Sequence, residues 1–242
     1  MGTSRSGRCT DGGAQLIERR ILYGRRHGKK LRPRRQALIE QLLPDLRIAL
    51  RPELDPVTLF DHAPQAVWLE VGFGGGEHLA AQARIRPDVG LIGCEPFVNG
   101  LASLLARIDD SGLANIRVHD DDARLLLDCL ADASIQRMFL LFPDPWPKAR
   151  HHKRRFVNPA TLDACARILA DGAELRIATD DRGYCRWMLE HLARHHAFTW
   201  TARRPSDWRQ RPDDWPATRY EAKAREQGRA PVYLRYRRVA RR

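Results

Sequence analysis

A doubly wound α/β fold, built on a mostly parallel sheet of seven strands, is the architecture this 242-residue sequence predicts. Three observations point to it. From residue 66 onward, short apolar runs alternate with amphipathic stretches, the signature of repeated strand–helix units. Such units give a sheet covered on both faces, and the runs are short and apolar enough to be strands of that kind. Glycines and carboxylates gather just after the early runs, at the strand ends where these folds bind ligands.

The elements follow in order. Residues 1–30 are polar, contain Gly12-Gly13 and show no periodicity, so they read as a flexible basic arm. Residues 31–64 read as a helical and irregular N-terminal extension. Ala37, Leu38 and Leu42 give Arg34 to Leu43 a helical spacing that Pro44 interrupts, and Pro52, Pro56 and Pro64 disfavour regular structure after it. Residues 65–242 hold the repeated units. Strands are expected at Ala66–Val71, Val89–Cys94, Ile116–His119, Ile135–Phe142 and Glu174–Thr179, with late ones at Ala197–Ala202 and Val232–Val239. Helices are expected over Gly76–Ile85, Phe97–Ile108, Ala123–Leu130, Pro159–Leu169 and Gly183–Arg194, with Pro159 at a permitted first-turn position.

Composition removes several classes. Hydrophobic residues make up 43% of the chain, enough for a real core. No run approaches the ~18 apolar residues of a membrane span, and the stretch from Met1 to Ser6 has no apolar segment of a secretory signal. Cys9, Cys94, Cys129, Cys165 and Cys185 form no CxxC pair and read as reduced thiols of a cytoplasmic protein, with no metal site expected.

The formal net charge is +12, and 37 of the 42 basic residues are arginine, the side chain whose planar fork suits phosphates and base edges. That charge is segmental. Residues 1–40 carry +8 and residues 201–242 carry +8, around a stretch from 61 to 146 that carries −7. A further basic run holds Lys148, Arg150, Lys153, Arg154 and Arg155, with His151 and His152 among them. The pattern suits a module that is not itself basic, fitted with basic elements that hold a polyanion, or else solvated arginine-rich faces.

The strand ends carry the chemistry. The first is followed by Glu70-Val71-Gly72-Phe73-Gly74-Gly75-Gly76, whose glycines allow a sharp turn and close approach to the backbone. Alone, that loop also suits a dinucleotide site or a plain tight turn. The second strand ends at Glu95, where a carboxylate can accept both hydroxyls of a ribose. The third is followed by Asp120-Asp121-Asp122, and Asp122 suits either a helix N-cap or an acceptor for an adenine amino group. Together the three describe an adenosine pocket. The fourth strand leads into Pro143-Asp144-Pro145-Trp146-Pro147, where Asp144 sits between prolines in a rigid loop and can accept from a nucleobase edge, with Trp146 beside it. A structural corner is the plainer possibility for that loop.

These residues, with Lys148-Ala149-Arg150-His151, Lys153-Arg154-Arg155, Ala178-Thr179-Asp180 and Thr218-Arg219-Tyr220-Glu221, closely resemble the bacterial tRNA (guanine-N7-)-methyltransferases. The resemblance runs from about residue 66 to the C-terminus, and the stretch from Asp144 through Arg155 is its most specific part. It implies the Rossmann-like sheet of class I methyltransferases and S-adenosylmethionine as cofactor, bound by Glu70, Gly72, Gly74, Gly76, Glu95, Asp122 and Asp144. It implies Asp144 as the catalytic residue, and Lys148, Asp180, Thr218, Arg219, Tyr220 and Glu221 as substrate-binding positions. It implies that Arg150, His151, His152, Lys153, Arg154 and Arg155 contact tRNA, whose guanosine 46 would be methylated. Arg219-Tyr220 stands where a Lys-Phe pair is commoner. A methyltransferase of another RNA and a non-catalytic RNA-binding subunit are the alternatives, and the sequence leaves monomer and homodimer both open.

Overall fold

The computed structural model describes residues 22–241. Its seven strands are β1 (Ala66–Val71), β2 (Val89–Cys94), β3 (Ile116–His119), β4 (Ile135–Leu141), β5 (Leu169–Thr179), β6 (Phe198–Trp200) and β7 (Val232–Arg238). They form one sheet in the order β3-β2-β1-β4-β5-β7-β6. The first five strands pair in parallel, and β7 runs antiparallel to both β5 and β6. Chain order reverses between β1 and β4, which opens a crevice at their carboxyl ends.

Helices cover both faces: α1 (Pro33–Gln41), α2 (Leu43–Leu46), α3 (Glu77–Ile85), α4 (Val98–Ser111), α5 (Ala123–Cys129), α6 (Pro159–Ile168), α7 (Arg182–Arg194), α8 (Ser206–Arg209) and α9 (Arg219–Glu226). Strand side chains alternate between two cores. Val67, Leu69 and Val71 enter one with residues of α5, α6 and α7, while Trp68, Phe139 and Leu141 enter the other with residues of α3 and α4. Each face therefore pins the strand ends that carry the crevice. Among the described residues no helix is long and apolar enough to cross a membrane.

The N-terminal portion is joined to this body. Residues 1–21 of the expected arm lie outside the described residues, and residues 22–30 run along it. Gly28 N–H donates to Asn99 Oδ1 at 2.8 Å, the Asn99 amide donates to Lys29 O at 2.7 Å, and Val98 N–H donates to Arg26 O at 2.9 Å. In the 31–64 segment, Leu43, Leu46, Ile48, Leu54 and Phe60 are buried, and Ile48 N–H donates to Val118 O beside β3. Pro44 lies in the first turn of α2, where a missing N–H costs nothing, so it starts a new short helix instead of ending order.

Two strand boundaries differ from expectation, and the helices α8 and α9 are not among those expected. β5 begins at Leu169, not Glu174, because Leu169 pairs with Ile135 before a register shift near Arg137 lets the ladder resume at Glu174. The polar Asp171-Gly172 in between, with Gly172 at φ 80°, hides that first part of the strand from a hydrophobicity pattern. The β6 strand is only three residues long. The pattern missed α8, none of whose residues is buried, and α9, of which only Glu221 and Ala224 are buried.

Candidate active site

At the crevice beyond β1, β2 and β4 lies a cavity of about 400 Å³, within the roughly 300–1,000 Å³ typical of small-molecule sites. Gly72, Gly74, Glu95, Asp122 and Asp144 all line it. Gly74 has φ 56°, a left-handed conformation that glycine adopts without a Cβ penalty, and the turn brings its backbone against the cavity. Its N–H donates to Glu95 Oε2 at 2.8 Å, and Phe97 N–H donates to Glu95 Oε1 at 3.0 Å. The Glu95 carboxylate is thereby aimed by two backbone donors. Each oxygen keeps a second lone pair, so the group can still accept two hydroxyls. Burial pushes its carboxyl above the ordinary range, and the nearby Asp144 charge pushes it further.

Asp122 realises the plainer of its two possibilities and still faces the cavity. Its Oδ1 accepts from Arg124 N–H at 3.0 Å as the N-cap of α5, and its carboxylate pairs with the Arg124 guanidinium. An N-cap to alanine change typically costs about 1 kcal/mol, so loss of this residue would mix a stability effect with any binding effect.

The Asp144 loop is strained at both ends. Phe142 at φ 51° and Trp146 at φ 44° are aromatic residues in the left-handed region, where each non-glycine residue costs on the order of 1–3 kcal/mol. Tertiary contacts hold Trp146 there. The Arg154 guanidinium lies 4.8 Å from the Trp146 ring and 4.7 Å from the Tyr23 ring, and His151 meets Trp146 edge-on at 5.9 Å. Asp144 itself is open to solvent at the rim, and among the described residues its carboxylate has no hydrogen-bond or ion-pair partner. The surrounding walls raise its carboxyl above the usual range by desolvation. An acceptor at the mouth of a pocket that no described residue pairs is the arrangement expected of a group that waits for a ligand.

The other sequence-predicted positions divide. Tyr220, at the start of α9, lines the cavity and stacks over the glycine loop so closely that a Cβ on Gly74 would come 2.7 Å from its ring. Arg219 points to Glu77 at 3.8 Å. Thr218 caps α9 through Glu221 N–H, and Glu221 is buried between Arg211 and Arg225. Those two residues hold the helix that presents Tyr220. Asp180 lies outside the cavity lining and pairs with Arg229 at 2.6 Å. Lys148, Arg150 and Lys153 are exposed on the loop beyond Asp144, His151 and His152 are half-buried, and Lys153 and Arg154 reach the cavity rim.

Three expected positions stand apart from the role foreseen for them. The Glu70 carboxylate, 2% exposed, turns away from the cavity and accepts from the His78 ring at 2.7 Å. β-strand alternation is the cause: Val71 faces the α5 side, so Glu70 faces α3. Gly76 also lies outside the lining, as the left-handed N-cap of α3 packed against Leu104. Arg155 is 4% exposed, under the rings of Tyr184 and Trp187, and lines the inner side of the cavity instead of standing out on the surface with Lys148, Arg150 and Lys153. Sequence reasoning also overlooked residues. Leu22, Tyr23 and Arg25 form part of the cavity wall, and Gly100 of α4 abuts Gly74 O. Neither carried a local signal, since an isolated glycine in an amphipathic helix looks like any other.

Comparison with known proteins leads to methyltransferases. The family model described as "Putative methyltransferase" matches residues 64–234. A tRNA (guanine-N(7)-)-methyltransferase from Rhodospirillum rubrum is 54% identical over 221 residues, covering 89% of this chain and 87% of that protein. One of the same name from Paramagnetospirillum magneticum is 52% identical over 240 residues, covering 97% of this chain and 100% of that protein. Among solved structures, the 16S rRNA methyltransferase KamB superposes with a TM-score of 0.53 at 15% identity, over 73% of this chain and 89% of that one. The [4+2]-cyclase SpnF superposes with a TM-score of 0.50 at 14% identity, over 74% of this chain and 76% of that one. At such identity a structural likeness speaks for the fold alone, and the cyclase makes the point.

Proposed function

The chain belongs to the tRNA (guanine-N(7)-)-methyltransferase family, and on that premise we propose that it methylates N7 of guanosine 46 in the variable loop of tRNA, using S-adenosylmethionine. The observation that carries this reading is the Asp144 carboxylate, which has no partner among the described residues. It stands at the mouth of the cavity that Glu95 lines, on the same loop that continues into the exposed cations Lys148, Arg150 and Lys153.

The cavity fits the cofactor by the chemistry of its donors and acceptors. Glu95, aimed by Gly74 and Phe97, would accept the ribose hydroxyls, and the glycine loop gives a backbone wall without side chains. Asp122, which lines the same cavity, would accept from the adenine amino group. When bound, S-adenosylmethionine supplies an electrophilic methyl group. The protein's own task is positioning, because guanine N7 already carries an in-plane lone pair and no proton, so no general base is required. Asp144 accepts from the N–H edge of the base and opposes the positive charge that develops on its ring. Tyr220 and Trp146 wall the site and keep water from the reacting atoms. A tRNA substrate agrees with the cytoplasmic setting expected of the sequence. The intact glycine loop, Glu95 and Asp144 speak against a non-catalytic subunit.

The deciding experiment is transfer of labelled methyl groups to bulk tRNA, followed by mapping of the modified base. Label at N7 of guanosine 46 is expected. Label confined to ribosomal RNA or protein, or none at all, overturns the proposal.

Two further results are expected. Replacing Lys148, Arg150 and Lys153 together by alanine should raise the tRNA KM about tenfold, with little change in kcat. Each lost phosphate contact should flatten the log–log salt dependence of tRNA binding by about 0.7–0.9. An unchanged slope removes these residues from the RNA surface.

The second result concerns pH. Desolvation raises the carboxyls of both the buried Glu95 and the rim residue Asp144, so the folded protein holds their protons more tightly than the unfolded chain. Their ionisation therefore costs stability at neutral pH, and that cost is relieved as pH falls through the raised values. Function runs the other way, since a protonated carboxyl accepts hydroxyls and base N–H groups poorly. The acid limb of kcat/KM for S-adenosylmethionine should lie above the ordinary carboxylate range of about 4. A profile flat down to about pH 4 refutes it.

A further inference from the structure

Arg155 ends the basic run, yet it behaves unlike its neighbours. Lys148, Arg150 and Lys153 are exposed, whereas Arg155 is 4% exposed. Its guanidinium lies 5.0 Å from the Tyr184 ring and 4.9 Å from the Trp187 ring, both on α7. Its Nε–H donates to Pro145 O at 2.8 Å. Pro143, Pro145 and Pro147 have no N–H to offer, so the Asp144 loop has few ways to anchor its own backbone. Among the described residues, the Arg155 bond is the one hydrogen bond that the backbone of Pro143–Pro147 receives from outside the loop.

The anchor is itself anchored. Tyr184 is fully buried, and its hydroxyl accepts from Val157 N–H at 3.2 Å. Trp187 Nε1–H donates to Val157 O at 2.6 Å. Helix α7 thus grips the chain two residues beyond Arg155 from both sides and presents two ring faces to the guanidinium. Such a cation-and-ring arrangement is attractive when desolvated and is specific to a planar fork. On the other side of the contact, Pro145 sits directly between Asp144 and the strained Trp146. A loop held in an unfavourable conformation keeps it only where its surroundings over-determine it.

We propose that Arg155 is a positioning residue for Asp144: clamped between Tyr184 and Trp187, it fixes the Pro143–Trp146 loop through Pro145 O and so sets where the Asp144 carboxylate stands. This rests on the reading of Asp144 as the catalytic residue. It assigns Arg155 to the geometry of the reaction, in place of tRNA contact.

The test compares Arg155→Ala, Arg155→Lys, Asp144→Asn and the double variant Asp144→Asn with Arg155→Lys. Each is assayed for single-turnover methyl transfer to tRNA, for tRNA affinity across salt and for S-adenosylmethionine affinity by calorimetry. Arg155→Ala should lower the transfer rate about 10- to 100-fold, with tRNA affinity and its salt slope unchanged. Added guanidinium ion should restore part of that rate, a recovery that loss of a surface contact would not show. Arg155→Lys keeps the charge but loses the fork and should fall about tenfold. In the double variant the losses should not multiply, because Arg155 acts through Asp144. Should Arg155→Ala fold poorly, Trp187→Leu removes one jaw of the clamp and should lower the rate in the same way, again without altering tRNA affinity. Wild-type transfer rates in the Arg155 variants overturn the inference, as does weaker tRNA binding with a flatter salt slope, or multiplying losses in the double variant. Full activity in Asp144→Asn defeats the catalytic reading of Asp144, a separate outcome.

Discussion

Asp144→Asn is expected to lower kcat by about 10²–10³-fold while leaving S-adenosylmethionine affinity within about threefold. The substitution keeps the size and shape of the side chain and removes its ability to carry a negative charge. The carboxylate has no partner among the described residues, so no ion pair or hydrogen bond with them is broken and the loop should keep its form. The Glu95 carboxylate, held by Gly74 and Phe97, is untouched and gains slightly from losing a like charge nearby. What disappears is the negative charge that opposes the positive charge on the alkylated base, since the asparagine carbonyl still accepts a hydrogen bond. Because asparagine resembles a permanently protonated aspartate, the residual activity should also lose the part of the acid limb that Asp144 contributes. Calorimetry for the cofactor and single-turnover transfer for the rate separate the possibilities. A variant that transfers normally but binds S-adenosylmethionine poorly would make Asp144 a cofactor ligand and nothing more.

The contrast between Asp144 and its surroundings shows what could be read from the sequence. Strands β1, β2 and β3 fall where the apolar runs predicted them, at Ala66–Val71, Val89–Cys94 and Ile116–His119. Strands buried on both faces write their length directly into the sequence as apolar runs. The glycine loop, Glu95, Asp122 and Asp144 were likewise legible, because each follows a strand and so falls at the cavity. Side-chain direction was not. One residue along a strand decides the face, which is why Val71 lines the cavity and Glu70 turns to His78. Charge runs are equally ambiguous: Lys153 and Arg155 stand two places apart in one basic stretch, and only the lysine is exposed. Helix α9 is almost wholly polar, so hydrophobic spacing could not reveal it. Its Thr218-x-x-Glu221 start was the available signal, since Thr218 caps the helix through Glu221 N–H.

Gly100→Ala should weaken S-adenosylmethionine binding by at least about tenfold, although the residue never meets the cofactor cavity. Gly100 lies in the first turn of α4, and a methyl group there would sit 2.3 Å from Gly74 O and 3.3 Å from Glu95 Cγ. The first of these is a backbone atom with no rotamer to yield. The glycine loop must therefore move, or α4 must withdraw. Either displacement acts on the same bond, because the Gly74 N–H that aims Glu95 belongs to the residue being pushed. Overpacking of this kind typically costs about 1–3 kcal/mol of stability, a fall of roughly 2–12 °C in Tm for a chain of this size. Stability loss alone must be distinguished from damage to the site. Gly90→Ala supplies the comparison, since its methyl would sit 2.5 Å from the Phe60 ring at the opposite end of β2. That variant should show a similar loss of Tm and an unaltered cofactor affinity. Equal affinities in the two variants would mean that the glycine loop absorbs the displacement without moving Glu95. The close approach of α4 to Gly74 would then be packing and no part of the site.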